Sequence, residues 1–235
     1  MTPSLEQVLE RHPVWRGRAD GYFSPAVSTT YPVLDSALPG RGWPTGALTE
    51  ILSGHEGIGE LGLVLPALAA LSWAGKRVVW LAPPHLPYAP ALAAAGVDLA
   101  NLVVVRAPSR RDALWAAEQV LRSRSCHAFV GWFRRPGYRE LRRLAVAAEA
   151  SPAWVVLFRP RAAAHEASPA ALRIAVEPEG DALAVRILKR RGAPAATPLL
   201  VAVNRPFHAL GRTPFPVPAA GGARADRRLG VPVHA

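Results

Sequence analysis

From residue 28 onward, short continuous apolar runs alternate with longer stretches in which apolar residues recur every three or four positions. Residues 47–52 predict a strand and residues 59–73 a helix. Residues 76–82 (KRVVWLA) predict a buried strand, and residues 87–95 a short helix with Pro87 at its start. A strand over 102–106 leads to a helix opened by Ser109, with Asp112 three residues on as a variant capping box. A strand over 128–133, a helix over 138–150 and a strand over 154–158 follow. Runs such as VVWL and LVVV are apolar throughout, as expected of strands covered by helices on both faces of a parallel sheet. The pattern then changes: residues 172–176 and 183–188 flank Glu177-Pro178-Glu179-Gly180-Asp181, a hairpin-like turn, and residues 199–203 form a last strand. The expected fold is therefore α/β, a mainly parallel central sheet covered by helices with an antiparallel extension at its C-terminal side. Pro66, inside the first long helix, removes a backbone bond and predicts a bend.

The flanks differ from this core, which spans 28–204. Residues 1–27 read as a leader: Leu5, Val8 and Leu9 form a short helical stripe, stopped near His12-Pro13 and followed by Trp15. Residues 205–235 read as a flexible tail rich in proline and arginine, carrying Phe207 and Phe215. These apolar residues are candidate anchors for a partner protein; packing on the chain's own core, or chance hydrophobes in the tail, fits them equally well. No apolar run approaches the ~20 residues of a membrane span. The first residues lack a secretory signal, so the cytoplasm is the expected location. Cys126 is the single cysteine and reads as an inert buried thiol.

Charge changes the picture further. The 28 basic residues outweigh 17 acidic ones for a net charge of +11, and only Lys76 and Lys189 are lysines. Such a balance favours nucleic acid or an acidic partner protein. Arg134, Arg135, Arg139, Arg142 and Arg143 cluster around a strand end and the next helix, the last three spaced to share one helical face. They fit a phosphate-binding surface, or a solvated face with partner salt bridges. Lys189, Arg190 and Arg191 end an amphipathic strand and carry the same two readings.

The sharpest chemistry lies at Gly54-His55-Glu56-Gly57-Ile58-Gly59-Glu60-Leu61. Its outline is that of a phosphate-binding loop between strand and helix, whose backbone N–H groups cradle nucleotide phosphates. Glu60 stands where a lysine should neutralise phosphate, and Leu61 where a hydroxyl should hold Mg²⁺. Either the backbone still attracts an anion, or the loop is a packing turn; a carboxylate in the first helical turn opposes the former. His55 and His85 have no nearby carboxylate–histidine pattern, no Cys/His metal spacing occurs, and no G-x-S-x-G elbow exists, so no metal or hydrolase site is expected.

The order of these pieces resembles the RecA recombinase core. Ser28-Thr29-Thr30, Leu34-Asp35, Leu38-Pro39-Gly40 and Gly42-Trp43-Pro44-Thr45-Gly46 are similar to the segment leading into its phosphate loop. His85, Tyr88-Ala89 and the run from Ala95 to Leu102 resemble its second block, and residues 187–191 with Pro194 its late basic strand and turn. A narrower resemblance is to the ImuA family, RecA-like proteins of translesion DNA synthesis that are also labelled SulA-like. It is carried by Gly57-Ile58-Gly59-Glu60-Leu61, Ala82-Pro83-Pro84-His85, residues 87–92, residues 112–119 and Leu188-Lys189-Arg190-Arg191-Gly192.

The resemblance implies a damage-inducible (SOS) accessory factor that binds polymerase components. Its partners would be ImuB, a Y-family-polymerase-like protein, and an error-prone replicative-type polymerase subunit, with RecA and DNA as further candidates. The polymerase would supply the chemistry. Against RecA, the water-activating glutamate matches Pro84 and the Mg²⁺-supporting aspartate matches Trp132. Phosphoryl transfer is catalysed almost wholly by positioned charge. With all four positions lost, a pseudo-ATPase without cofactor is expected. Two alternatives stay open: a SulA-like cell-division inhibitor, and a nucleotide-dependent DNA-binding ATPase of the RecA type.

Overall fold

Strand pairing follows from which residues alternate between two apolar faces. A computed structural model describes residues 25–191 and 197–203. Ten strands occur among them: β1 (Ala26–Val27), β2 (Trp43–Pro44), β3 (Ala47–Ser53), β4 (Val78–Leu81), β5 (Leu102–Val105), β6 (Ala128–Trp132), β7 (Trp154–Pro160), β8 (Leu172–Glu179), β9 (Ala182–Lys189) and β10 (Leu199–Val201). The helices are α1 (Pro32–Ala37), α2 (Leu65–Trp73), α3 (Ala89–Ala94), α4 (Arg110–Arg122) and α5 (Tyr138–Glu149). Eight strands form one sheet in the order β10-β9-β8-β3-β7-β6-β4-β5. From β8 to β5 neighbouring strands are parallel, whereas β9 and β10 are antiparallel additions. The fold is thus mixed α/β with a large, mostly parallel sheet flanked by helices.

Because successive side chains leave a strand on opposite faces, each central strand feeds two cores. In β4, Trp80 joins Ile51, Leu68, Val130 and Phe158 on the α2 face, while Val79 and Leu81 join Phe129, Leu141, Leu144 and Leu157 under α4 and α5. Trp43 and Trp154, both fully buried, stack with centroids 5.5 Å apart and anchor β2 to the sheet. Ser109 caps α4 as expected, its Oγ accepting the Asp112 N–H at 3.1 Å and donating to the Asp112 carboxylate at 2.7 Å. Two ion pairs clasp α4 to α5: Arg110–Glu140 at 2.8 Å and Arg143–Glu118 at 2.8 Å. Cys126 is buried, and that burial pushes its thiol up to about 11.

Three expectations are corrected. LVVV is not a doubly covered strand: β5 is the sheet edge, with Val103 and Val104 exposed at 41% and 37%. The predicted helix over 59–73 is split into a 3-10 turn, Glu60–Leu63, and α2. Pro66 therefore sits in the first turn of α2, where its missing N–H has no helical acceptor to lose, and causes no bend inside a continuous helix. Finally, Ala26 and Val27 of the expected leader pair with Pro44 and Trp43. Leu5, Val8, Leu9, Trp15, Phe207 and Phe215 lie outside the described residues.

Candidate functional site

The 54–61 loop leaves the carboxyl end of β3, between its neighbours β7 and β8, the end of an open parallel sheet where ligands ordinarily bind. Gly57 and Gly59 take positive φ angles of 80° and 100°, which turn the chain tightly. The anion that the Gly57 N–H meets is the protein's own. Glu60 is 7% exposed, and its Oε1 accepts the Gly57 N–H at 3.1 Å. The side chain expected to repel phosphate is folded back into the loop and occupies a donor that a phosphate would need.

Apolar side chains fill the neighbouring positions. Ile58 and Leu61 pack against the α2-side core together with Trp132. Trp132, at the end of β6, meets Trp80 edge-on at 5.3 Å and stacks on Phe158 at 5.3 Å. The position that the RecA resemblance matches to a metal-supporting aspartate is therefore part of a three-ring cluster across β4, β6 and β7. Pro84 is exposed in the loop after β4. His85, next to it, corrects the expectation that no carboxylate lies near: its Nε2 is 3.0 Å from Glu56 Oε2, an exposed pair linking the two loops.

Tyr31 supports the turn from below. Its hydroxyl donates to the Gly62 carbonyl at 2.7 Å, and burial pushes the phenol up to about 12. An unfolded tyrosine ionises near 10, so the preference for the neutral phenol is fully present below that pH and is lost as pH rises toward about 12. Denaturant midpoints measured across this window are expected to fall more steeply for the native chain than for Tyr31→Phe. Parallel slopes would remove the phenol from the support of the turn.

The second sequence block is likewise structural. Asn101 Nδ2 donates to the Ser72 carbonyl at 3.0 Å and to Asp98 at 3.1 Å, while Ser72 Oγ accepts the Asp98 N–H at 2.9 Å. These bonds fix the turn before β5 to the end of α2. In the leading segment, Asp35 accepts from Ser28 Oγ at 2.7 Å and Thr29 N–H at 2.8 Å, closing the loop before α1.

The basic residues divide. Arg134 and Arg135 are exposed beside a cleft of about 640 Å³ at the carboxyl ends of β4, β6 and β7, which Trp132, Arg110 and Glu166 also border. Arg139 and Arg142 are exposed on α5. Arg143 reaches the buried Glu118 carboxylate, which also lies 3.5 Å from Arg122, so it serves the helix pair. Lys189, Arg190 and Arg191 lie at the opposite end of the sheet, since Lys189 pairs with Arg173 at the start of β8. There Lys189 Nζ donates to the Ser168 carbonyl at 3.0 Å and Arg190 donates to the Ala37 carbonyl.

Arg159, just beyond the strand expected over 154–158, is buried near the end of β7. It donates to Glu50 Oε1 at 2.9 Å and to Glu166 at 2.7 Å. Arg173 donates to Glu50 Oε2 at 2.6 Å, and Ser168 Oγ to Oε1 at 2.9 Å. Sequence reasoning missed this network. Its signal was present: Glu50, Arg159 and Arg173 stand next to long apolar residues in mainly apolar segments, and a charge buried in a central strand requires a partner. Among the described residues no group of three or more His, Cys, Asp or Glu side chains is placed to hold a metal ion. None of their helices is long and apolar enough to cross a membrane.

Known proteins bear on this geometry in two ways. The chain is 30% identical over 173 residues to Protein ImuA of Caulobacter vibrioides, covering 67% of this chain and 71% of the relative, and the match is the same in two strains. Among solved structures it is similar to SulA from Pseudomonas aeruginosa, with 24% identity over 48% of this chain and 97% of that one, at a TM-score of 0.42. No family model matches the chain.

Proposed function

The chain belongs to the ImuA family, and from that premise we propose a non-catalytic, RecA-like accessory protein of error-prone translesion DNA synthesis in the DNA-damage response. It binds an ImuB-like partner and an error-prone polymerase subunit, and the polymerase performs the chemistry. The RecA-like assignment is supported by the mostly parallel sheet, the loop leaving β3 and the antiparallel strands β9 and β10.

One observation carries the non-catalytic half: Glu60 places its own carboxylate on the Gly57 N–H inside the loop, at 3.1 Å. A triphosphate arriving there meets a buried negative charge, an occupied donor and the apolar Leu61. Phosphoryl transfer needs the reverse, a cation, a metal and a positioned water. Arg134, Arg135, Arg139 and Arg142 stay exposed for contact with DNA or an acidic partner, a contact that salt weakens steeply where phosphates are involved.

The test is recovery of the tagged full-length protein from damage-treated cells, with identification of what it holds. Co-purification of an ImuB-like protein or a polymerase subunit is the expected result, and its loss on removing residues 1–24 or 204–235 would assign the anchors. Recovery of the protein with neither component overturns the accessory role. Steady ATP turnover by the purified chain overturns the non-catalytic half.

A further inference from the structure

A groove at the amino ends of the parallel strands, remote from the 54–61 loop, remains without a role. Its main part encloses about 680 Å³ and continues into a second hollow of about 230 Å³; Ala47, Glu149, Ala171, Arg190 and Arg191 border both. The walls of the main part are mostly apolar, with Pro39 and Pro44 contributed before β3, Pro152 before β7 and Leu172 at the start of β8. The rim is basic. Arg124 and Arg191 stand on the main part and Lys189 on its continuation, all three exposed, while Glu149 is the one carboxylate among the described lining residues.

We infer that this groove is a docking site for a short acidic segment of a partner protein, one that seats apolar side chains between the prolines and sets its carboxylates against Arg124, Arg191 and Lys189. Charge complementarity selects the sign of the occupant: three rim cations face one rim anion. The apolar walls select its class. A nucleic acid strand would need aromatic platforms for its bases, and among the described residues no Phe, Tyr, Trp or His lines the groove. Glu149 at the centre of the rim would oppose a continuous run of phosphates, yet leaves room for side chains that alternate in character.

Two of the cations are also held in place. Arg124 is fixed by a 2.7 Å bond from its Nε to the Ala150 carbonyl at the end of α5, and Lys189 by its 3.0 Å bond to the Ser168 carbonyl. Such anchoring lowers the ordering cost of binding. The biological identity of the occupant rests on the accessory role proposed above; the affinity of the groove does not.

The experiment uses the full chain and a fluorescein-labelled peptide in which Glu and Asp alternate with Leu and Phe, read by anisotropy. Saturable binding that weakens with added salt, and weakens roughly tenfold in Arg191→Glu, is expected. Arg124→Glu provides a second variant, with a melting curve to show that each remains folded. A peptide of the same apolar residues with Lys in place of the acids should not bind. Absent binding, binding unchanged in both folded variants, or competition by single-stranded DNA that the same variants abolish would each overturn the inference. These outcomes are separate from the pull-down: a partner still recovered by a chain that ignores the peptide leaves the accessory role standing and removes only the groove.

Discussion

Replacing Glu50 with alanine is expected to lower folding stability by about 3–5 kcal/mol, the range for removing one partner of a buried ion pair. The carboxylate is fully buried in the middle of the central strand β3 and accepts from Arg159, Arg173 and Ser168 at 2.6–2.9 Å. Without it Arg173 loses its opposing charge in the core, and buried Arg159 keeps only the half-exposed Glu166 carboxylate. Domains of this kind hold only ~5–15 kcal/mol in total, so the variant should unfold at a much lower urea concentration. The damage should spread. Arg173 also donates to the carbonyls of Ala163 and Glu166, so its displacement loosens the 3-10 turn Arg161–His165 and the segment leading to β8. The combined replacement Glu50→Leu, Arg159→Met and Arg173→Leu should recover most of the loss, because an apolar set of similar volume has no charge to desolvate. A urea midpoint for Glu50→Ala close to that of the native chain would show that the network is not the hub of the central strands.

The order of elements was legible because each central strand and each helix carries its own period. The hairpin β8–β9 was legible from its turn chemistry. What escaped depends on contacts between distant parts of the chain. LVVV reads as buried because apolar continuity reports the side chains and is silent on which strand pairs on which side; among the described residues β5 has no neighbour beyond it. Arg159 reads as a loop residue until Glu50, more than a hundred positions earlier, is placed beside it. Arg143 reads as surface charge until α4 brings Glu118 across. At the candidate site the identities were legible and the conformation was not. Glu60 was recognisable as the wrong residue for phosphate, but only coordinates place its carboxylate on the loop's own N–H. Trp132 was recognisable as a missing carboxylate, and its rings turn out to belong to the core.

Rebuilding the missing chemistry as Glu60→Lys, Leu61→Thr, Pro84→Glu and Trp132→Asp is therefore expected to yield a weaker fold and no ATP turnover above background. Trp132→Asp alone removes the ring between Trp80 and Phe158, a loss on the order of 3 kcal/mol for a large aromatic, and sets a carboxylate against apolar neighbours. Glu60→Lys exchanges an acceptor for a donor at Gly57 N–H, so loop and side chain would repel where they now bond. Leu61→Thr withdraws apolar contact from the same core. The changes at Glu60, Leu61 and Trp132 thus each take away a packing or hydrogen-bonding group of the local structure. The helix that would present such groups is itself absent, since a 3-10 turn of four residues follows Gly59 and α2 begins only at Leu65. Melting curves and phosphate release on the single and combined variants separate the two possibilities. Turnover by the combined variant, with stability retained, would mean that the native frame is still an ATPase lacking only its side chains. The contacts of Trp132 with Trp80 and Phe158, and of Glu60 with the Gly57 N–H, support the opposite expectation.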